Sequence, residues 1–243
     1  MQVAIVSDIH GNRHALEAVL ADTCAHGAEE VWCLGDLVGY GAEPDACVEL
    51  VRAHCALVLA GNHDLAVTGA LAVDEFSPNA ATAARWTREA IAPAHLEYLR
   101  GLFPQATRGA LGLYHASPRD PVWEYVLSTV LAELCLDAAP ERVCFVGHSH
   151  VALSFVRPAG AAATGTPREA DETAMLDASE WILNPGSVGQ PRDGDPRAAW
   201  LLLDTDAWRA QWRRTPYDVE GAARAILDAG LPRSLADRLG YGQ

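Results

Sequence analysis

Apolar runs of about four residues alternate with helical patterns over the first 60 residues of the chain. Residues 3–6, 31–34 and 57–60 are predicted strands. Residues 13–26 carry apolar side chains at the spacing of an amphipathic helix, and Pro44 begins a second helix before the third strand. This βαβαβ order predicts a mainly parallel sheet with right-handed crossovers and with functional groups at the carboxyl ends of its strands.

The remainder of the chain continues the alternation without a clear linker. A helical insert covers about residues 79–101, where Pro93 is expected to break it into two helices. The insert either covers the sheet or caps a cleft. Residues 158–173 are rich in Ala, Gly, Thr and Pro and predict a flexible loop. Further strands are predicted at residues 111–114, 142–146, 151–156, 181–183, 198–203 and 208–213, and further helices at 127–137, 218–229 and after Pro232. We therefore expect a single domain over residues 1–243.

Acidic residues outnumber basic ones. The chain has 32 Asp and Glu against 18 Lys and Arg, which gives a formal charge of −14, and no basic cluster interrupts this excess. Nucleic acid and anionic membranes are disfavoured as partners because both need many cationic contacts. An acidic chain that handles phosphate needs a local source of positive charge, and bound metal ions are the obvious candidates.

The cysteines and the hydropathy pattern bear on the cellular compartment. The six cysteines form no CxxC pair and most lie inside apolar runs, which favours buried thiols in a reducing compartment over disulfides. The sequence shows no signal peptide pattern and no window of about 18 apolar residues. We therefore expect a cytoplasmic protein without a membrane span, and the oligomeric state stays open.

Side chains with metal-ligand chemistry follow five predicted strands. They are Asp8 and His10 after the first strand, Asp36 after the second, Asn62, His63 and Asp64 after the third, His115 after a fourth, and His148 and His150 after a fifth. The carboxyl ends of parallel strands lie on one edge of a sheet, so groups about 140 positions apart can converge there. The pattern predicts a polar site at that edge.

The residue types indicate two divalent cations. Asp8, His10, Asp36 and His150 would surround one ion, and Asp36, Asn62, His115 and His148 would surround a second, with Asp36 bridging. Oxygen and nitrogen ligands without thiolate suit Mn, Fe, Zn, Co or Ni. Two ions about 3.5–4 Å apart can clamp a phosphoryl group and lower the pKa of a bridging water. Such a centre stays positively charged and favours an anionic substrate.

These motifs resemble those of a known family. The set D-x-H, G-D, G-N-H-D, a separate His and G-H-S-H over residues 8–150 is similar to that of the calcineurin-like metallophosphoesterase superfamily. Residues 184–200 are similar to the closing segment of its small prokaryotic members. The resemblance implies an α/β fold, a four-layer α/β/β/α sandwich with two central mixed sheets. It also implies a dinuclear metal site and hydrolysis of phosphate esters.

The resemblance also implies roles for residues next to the ligands. His63 would face the phosphate, where it contacts an oxygen or protonates the leaving alkoxide, and Asp64 would orient it; Asn62 would also contact the substrate. The stretch GDLVGYG at residues 35–41 departs from the protein serine/threonine phosphatase pattern, because Tyr40 replaces an arginine that grips phosphate. Arg192 is a candidate substitute for that contact, with a surface salt bridge as the alternative.

The sequence thus predicts a metal-dependent phosphoric ester hydrolase. A metal-bridging hydroxide would attack a small phosphate mono- or diester. Two alternatives remain open: a nuclease or nucleotide phosphodiesterase with the same site, and a non-catalytic metal-binding scaffold. The physiological substrate and the native metal are not determined by the sequence.

Overall fold

The computed structural model describes all 243 residues. It contains twelve strands and eight α-helices. The strands are β1 (Gln2–Val6), β2 (Glu30–Cys33), β3 (Leu57–Val58), β4 (Gln105–Arg108), β5 (Leu111–Tyr114), β6 (Val143–Phe145), β7 (Ala152–Arg157), β8 (Thr164–Pro167), β9 (Thr173–Met175), β10 (Glu180–Pro185), β11 (Ala198–Asp204) and β12 (Arg209–Thr215). The helices are α1 (Arg13–Ala25), α2 (Pro44–His54), α3 (Asn62–Thr68), α4 (Pro78–Ala90), α5 (Pro93–Arg100), α6 (Thr129–Ala138), α7 (Val219–Asp228) and α8 (Arg233–Asp237). Short 3₁₀ helices cover Val73–Glu75 and Arg238–Gly240.

The strands form two six-stranded mixed sheets. The first has the order β3-β2-β1-β11-β12-β9, and only the neighbours β1, β2 and β3 pair in parallel. The second has the order β4-β5-β6-β10-β7-β8, with β5, β6 and β10 parallel. The βαβαβ order at the start of the chain therefore builds half of one sheet, and antiparallel strands from the end of the chain complete it.

Alternation along the strands explains the layers. In β1, Val3 and Ile5 join a core between the two sheets, whereas Ala4 and Val6 join a core with the helices. Helices α1 to α5 cover the outer face of the first sheet, and α6 covers the outer face of the second through residues such as Cys135. A strand points successive side chains to opposite faces, so both faces of each sheet are covered. The predicted four-layer α/β/β/α sandwich is confirmed.

The helical insert packs onto the body of the protein. Pro93 begins α5 after a two-residue break, as its rigid backbone predicts. Ile91 and Leu99 are buried in the core that also contains residues of α1 and α2. The expectation of one domain over residues 1–243, with a cap about residues 79–101, stays a prediction. In the structure the segment just before α4 borders the site described below.

The sequence patterns missed three strands and one helix. Residues 158–173 were expected to be a loop, but they contain β8, which pairs antiparallel with β7. Strand β8 is exposed along its whole length and β4 is mostly exposed, so neither shows the apolar alternation of a half-buried strand. Strand β9 is only three residues long, and α3 begins inside the polar motif after β3. Backbone pairing, which leaves little mark on composition, holds these edge strands.

Two further features concern the whole chain. None of the six cysteines is paired; four are buried, Cys55 is partly buried and Cys24 is exposed. No helix combines the length and the apolar character needed to cross a bilayer.

Candidate metal centre

The predicted ligands converge at the ends of strands from both sheets. Two groups of buried side chains have donor atoms within 4.8 Å of one another: Asp8, His10, Asp36 and His150 in one, and Asp36, His115 and His148 in the other. Asp36 belongs to both groups, as a bridging ligand would. The first three strands contribute from one sheet, whereas His115 and the two later histidines follow β5 and β6 of the other. The site therefore lies between two sheets rather than on a single sheet edge.

Each central carboxylate has one oxygen held by the backbone and one without a partner. The His148 N–H donates to Oδ2 of Asp8 at 3.0 Å, and the His63 N–H donates to Oδ1 of Asp36 at 2.8 Å. The other oxygens, Oδ1 of Asp8 and Oδ2 of Asp36, are buried and accept no hydrogen bond. Burial of a carboxylate oxygen without a hydrogen-bond donor costs free energy, and a positively charged partner at both atoms would offset that cost.

His10 and His150 face each other through nitrogen atoms of the same kind. Nδ1 of His10 lies 3.2 Å from the Val38 carbonyl oxygen, and Nδ1 of His150 lies 2.7 Å from that of Gln190. A carbonyl only accepts, so in each neutral ring Nδ1 carries the proton and Nε2 carries a lone pair. The two Nε2 atoms are 3.0 Å apart. Two lone pairs at this distance repel unless a cation lies beside both.

His115 and His148, on the other side of Asp36, also have one ring nitrogen facing a backbone carbonyl and the other carrying a lone pair. Nδ1 of His115 lies 3.0 Å from the Leu34 carbonyl oxygen, which leaves its Nε2 as an acceptor 3.1 Å from Oδ1 of Asn62, another acceptor. His148 is reversed: its Nε2 lies 3.2 Å from the Trp123 carbonyl oxygen, so its Nδ1 carries the lone pair. Backbone carbonyls thus select the ligand tautomer, as they do around metal-bound histidines.

Burial keeps these imidazoles neutral. It lowers the pKa of His10 well below the ordinary value, lowers the pKa of His115 and His150, and lowers the pKa of His148 to about 3. The 3.4 Å contact between His150 Nε2 and Asp8 Oδ1 therefore joins two acceptors. The contacts of His10 Nε2 and His115 Nε2 with Asp36 Oδ2, at 3.5 and 3.6 Å, also join two acceptors. Divalent cations fit this donor set, and protons do not.

The two carboxylates differ electrostatically. Burial, reinforced by the charges of Asp64 and Asp8, raises the pKa of Asp36 well above its ordinary value. Burial also disfavours the ionised form of Asp8, whereas the His148 N–H that donates to its Oδ2 favours that form. A cation shared by the two groups would favour the ionised form of both.

Backbone strain is concentrated at this centre. Eight non-glycine residues have positive φ, and six of them lie here: Asp8, His10, Asp36, Tyr40, His148 and His150, with φ between 53° and 62°. The left-handed conformation costs roughly 1–2 kcal/mol for each such residue. Strain repeated at five predicted ligands indicates that the fold holds these side chains in position for function rather than stability.

Gly61 illustrates how closely the backbone approaches the ligands. A Cβ atom at this position would overlap Oδ1 of Asp36 and its carboxyl carbon. Only glycine therefore lets the backbone just after β3 approach the bridging carboxylate this closely.

His63 lies beside the metal groups without belonging to them. Its ring is centred 4.8 Å from the ring of His10 and 4.4 Å from that of Tyr40, and its Nδ1 is buried without a hydrogen-bond partner. Burial lowers the pKa of His63 well below its ordinary value. The neutral ring therefore offers one N–H and one lone pair to whatever occupies the adjoining space.

Asp64 does not contact the His63 imidazole, so the expectation that it orients this ring is not met. Its carboxylate accepts hydrogen bonds from the N–H groups of Leu37, Val38 and Gly61 at 2.9 to 3.2 Å. Burial raises the pKa of Asp64 to about 7, and these donors oppose the shift. Asp64 instead joins the loops after β2 and β3, which carry Asp36 and Asn62.

An open cleft of about 420 Å³ adjoins the two groups. Its floor includes Asp36, Asn62, His63, His148 and His150. Aromatic side chains come from two separate segments: Phe76 from the turn before α4, and Trp123 and Tyr125 from the loop between β5 and α6. Tyr40, Arg192 and Arg238 complete the lining. The cleft is large enough for a small organic phosphate.

Comparison with known proteins places this arrangement in a family. The model of the calcineurin-like phosphoesterase superfamily domain matches residues 1–207. The chain belongs to this superfamily. It is 36% identical over 247 residues to an uncharacterized protein of Methanocaldococcus jannaschii, covering 99% of this chain and 98% of that relative. The resemblance found in the motifs is thereby confirmed.

Solved structures show the same fold. The chain is 40% identical to a metallophosphoesterase from Sphaerobacter thermophilus, with a TM-score of 0.90 and coverage of 100% of this chain and 99% of that one. A hypothetical protein from Pyrococcus horikoshii is 20% identical, with a TM-score of 0.80 and coverage of 100% and 98%. The superfamily fold is therefore shared over the full length of the chain.

The sequence located most of this superfamily member's site but missed part of the cleft. Tyr40 and Arg192 both line the cleft, and Arg192 forms hydrogen bonds to Tyr40 and Gln190 but no ion pair. Their contact with a substrate stays a prediction. Phe76, Trp123 and Arg238 were not anticipated. Trp123 follows His115 closely enough to have been a signal, whereas nothing in the sequence links Arg238 to residues near position 192.

Proposed function

We propose that the protein hydrolyses small phosphate mono- or diesters at a centre of two divalent cations. The observation that carries this proposal is a set of close contacts around Asp36 in which both atoms are hydrogen-bond acceptors. These atoms border an open cleft. Membership of a phosphoesterase superfamily supports the reaction class. The family relation reaches no further than that class.

The residues that would hold the ions follow from their free donor atoms. Asp8, His10, Asp36 and His150 would bind one ion, and Asp36, Asn62, His115 and His148 the other. The absence of thiolate ligands favours Mn, Fe, Zn, Co or Ni. When bound, two such ions supply Lewis acidity to a phosphoryl oxygen and lower the pKa of water at the site.

The chain's own groups would bind and orient the ester. His63 would direct its N–H at a phosphoryl oxygen or give its proton to the leaving alkoxide, because its ring borders the cleft and its Nδ1 has no other partner. The Asn62 amide nitrogen would donate to the same group, and Arg192, stacked over Tyr40 at 5.7 Å, would add a fixed positive charge. Asp64 would join the loop that carries Asp36 to the start of α3, which carries Asn62 and His63.

A nuclease and a scaffold gain no support from the geometry, whereas a nucleotide phosphodiesterase, which cleaves a small diester, falls within the proposed function. A nuclease needs a cationic track for a polymer backbone, whereas this chain carries a charge of −14 and the cleft beside the metal groups holds only about 420 Å³. A metal-binding scaffold would hold the same ligands, but it would not need His63, with a free Nδ1, bordering an open cleft beside them. The six unpaired cysteines support a location in the reducing cytoplasm.

Metal analysis and turnover together test this proposal. Protein purified without chelator and loaded with Mn²⁺ should contain two ions per chain and should release p-nitrophenol from p-nitrophenyl phosphate or its diester. Asp36→Ala should lose both ions and all turnover, because both groups share this carboxylate. His54→Ala is the matched control, since His54 is an exposed imidazole outside the site. No turnover with any of the five metals would overturn the proposal.

A further inference from the structure

Two arginines in the cleft share one uncharged acceptor. Nη2 of Arg192 donates to Oε1 of Gln190 at 3.0 Å, and Nη1 of Arg238 donates to the same oxygen at 3.1 Å. These residues come from the loop after β10 and from the 3₁₀ helix near the end of the chain. We call Arg192, Gln190 and Arg238 the arginine pair site.

Neither guanidinium has a counter-ion. Arg192 forms one further hydrogen bond, to the Tyr40 hydroxyl at 3.4 Å, and its Nε is buried without an acceptor. Glu75 also lines the cleft but forms no ion pair with either arginine. In contrast, Arg233, five residues before Arg238, pairs with Asp237 at 3.5 Å. A chain with excess acid has therefore left these two cations unpaired where they face the cleft.

The arrangement is unfavourable until an anion arrives. Burial and the neighbouring Arg192 charge lower the pKa of the Arg238 guanidinium below its ordinary value. Two like charges held beside one neutral acceptor repel each other, and partial burial weakens the screening by water. An anionic group bridging the two forks would remove this cost and gain charge-assisted hydrogen bonds.

The two arginines stand at different distances from the metal groups. Arg192 lies over the Tyr40 ring at 5.7 Å, and that ring is centred 4.7 Å from the ring of His10. Arg238 meets Arg192 through the shared Gln190 oxygen. Arg192 is therefore placed near the hydrolysed phosphate, and Arg238 one step further out.

We propose that the arginine pair site binds a second anionic group of the substrate, so that the preferred substrates are small phosphate esters with a second phosphoryl group. This inference rests on the proposed function. Arg238 is then a specificity-determining residue. It contributes only its electric field to the binding of a substrate with a single phosphate, but it binds the second phosphoryl group of a bisphosphate. The aromatic rings of Phe76 and Trp123 are available to the organic part.

Matched substrates test the inference. We compare kcat/KM of the Mn²⁺-loaded protein for glycerol 3-phosphate, 3-phosphoglycerate and 2,3-bisphosphoglycerate, and for adenosine 5′-monophosphate and adenosine 3′,5′-bisphosphate. We expect the bisphosphate to be preferred in at least one set by about tenfold or more, the range for a hydrogen bond to a charged group. Equal kcat/KM for 3-phosphoglycerate and 2,3-bisphosphoglycerate would overturn the preference for a second phosphoryl group in that set.

Variants assign the preference to Arg238. Arg238→Gln should lower kcat/KM for the bisphosphate about tenfold more than for its monophosphate, whereas Arg238→Lys should keep part of the preference. Arg233→Gln, which removes an ion-paired arginine from α8, should leave the preference unchanged. The inference is overturned if the wild type shows no preference in either set, or if Arg238→Gln keeps the full preference.

A binding measurement separates failure of this inference from failure of the proposed function. The dissociation constants of 2,3-bisphosphoglycerate and glycerol 3-phosphate are measured by calorimetry on the metal-loaded wild type and Arg238→Gln. Absence of all turnover overturns the proposed function, but a bisphosphate affinity that falls about tenfold in the variant still supports the arginine pair site. Equal affinities in the two proteins overturn the site even if p-nitrophenyl phosphate is hydrolysed.

Discussion

The Nε2 atoms of His10 and His150 lie 3.0 Å apart, and both are acceptors because each ring donates its Nδ1 proton to a backbone carbonyl. These residues are 140 positions apart in the chain and follow strands of different sheets. The fold therefore holds two lone pairs together at a cost, and a cation between them and the carboxylates relieves it. This relationship carries the predictions on metal binding.

Removal of metal should lower thermal stability. A ligand present at about 100 times its dissociation constant adds about 2.7 kcal/mol to the free energy of unfolding. For a chain of this size, that corresponds to a rise in Tm of roughly 5–10 °C. We expect scanning calorimetry to show this decrease when the metal-loaded protein is treated with EDTA, and recovery when Mn²⁺ is restored.

The same experiment on Asp36→Ala supplies the control for metal stability. The Tm of that variant should be the same with and without EDTA, because the variant has lost the shared ligand. An unchanged Tm of the wild type in the presence of excess Mn, Fe, Zn, Co and Ni would contradict metal binding at this centre.

Replacement of His63 should separate catalysis from metal binding. His63→Ala removes the proposed proton donor, and such groups typically contribute 10²- to 10⁴-fold to the rate. We expect kcat for glycerol 3-phosphate, whose alkoxide leaving group needs a proton, to decrease within that range, while the metal content by mass spectrometry stays at the wild-type value. A loss of metal in this variant would mean that His63 is a ligand, and our assignment would be wrong.

Gly61 should be intolerant of even a methyl group. In Gly61→Ala the new Cβ overlaps the Asp36 carboxylate and displaces it from both predicted ion positions. We expect metal affinity to fall about 10- to 100-fold, as it does when groups supporting metal ligands are changed. Gly101→Ala is the control, since its Cβ would make only an ordinary contact. Metal titrations with equal affinity for both variants would contradict this close approach.

Asp64 should matter first for stability. Asp64→Ala leaves three buried backbone N–H groups without acceptors, each costing about 1–3 kcal/mol. We expect urea unfolding of the metal-free variant to show a loss of at least about 2 kcal/mol. Asp64→Asn, which keeps one acceptor oxygen, should lose less. If both variants unfolded like the wild type but lost kcat, Asp64 would act on His63 as the sequence first suggested.

Local pattern and chemistry were enough to place most of the site. Asp8, Asp36 and His115 each follow a recognisable apolar run, and their side chains can do little at a buried strand end except bind a cation or a proton. The motif order then indicated the superfamily and, with it, the four-layer fold. The exposed strand β8 was missed because its residues bury nothing, so no periodicity marks it.

The sequence by itself determined the residue types of the candidate site, most of the elements that carry them and the superfamily, since those depend on residue type and on short-range spacing. Only the tertiary structure decided that the centre lies between two sheets, that Asp64 holds loops rather than His63, and that Arg238 meets Arg192 across Gln190. These facts depend on contacts between segments far apart in the chain, and the packing of the whole core fixes them rather than any local preference.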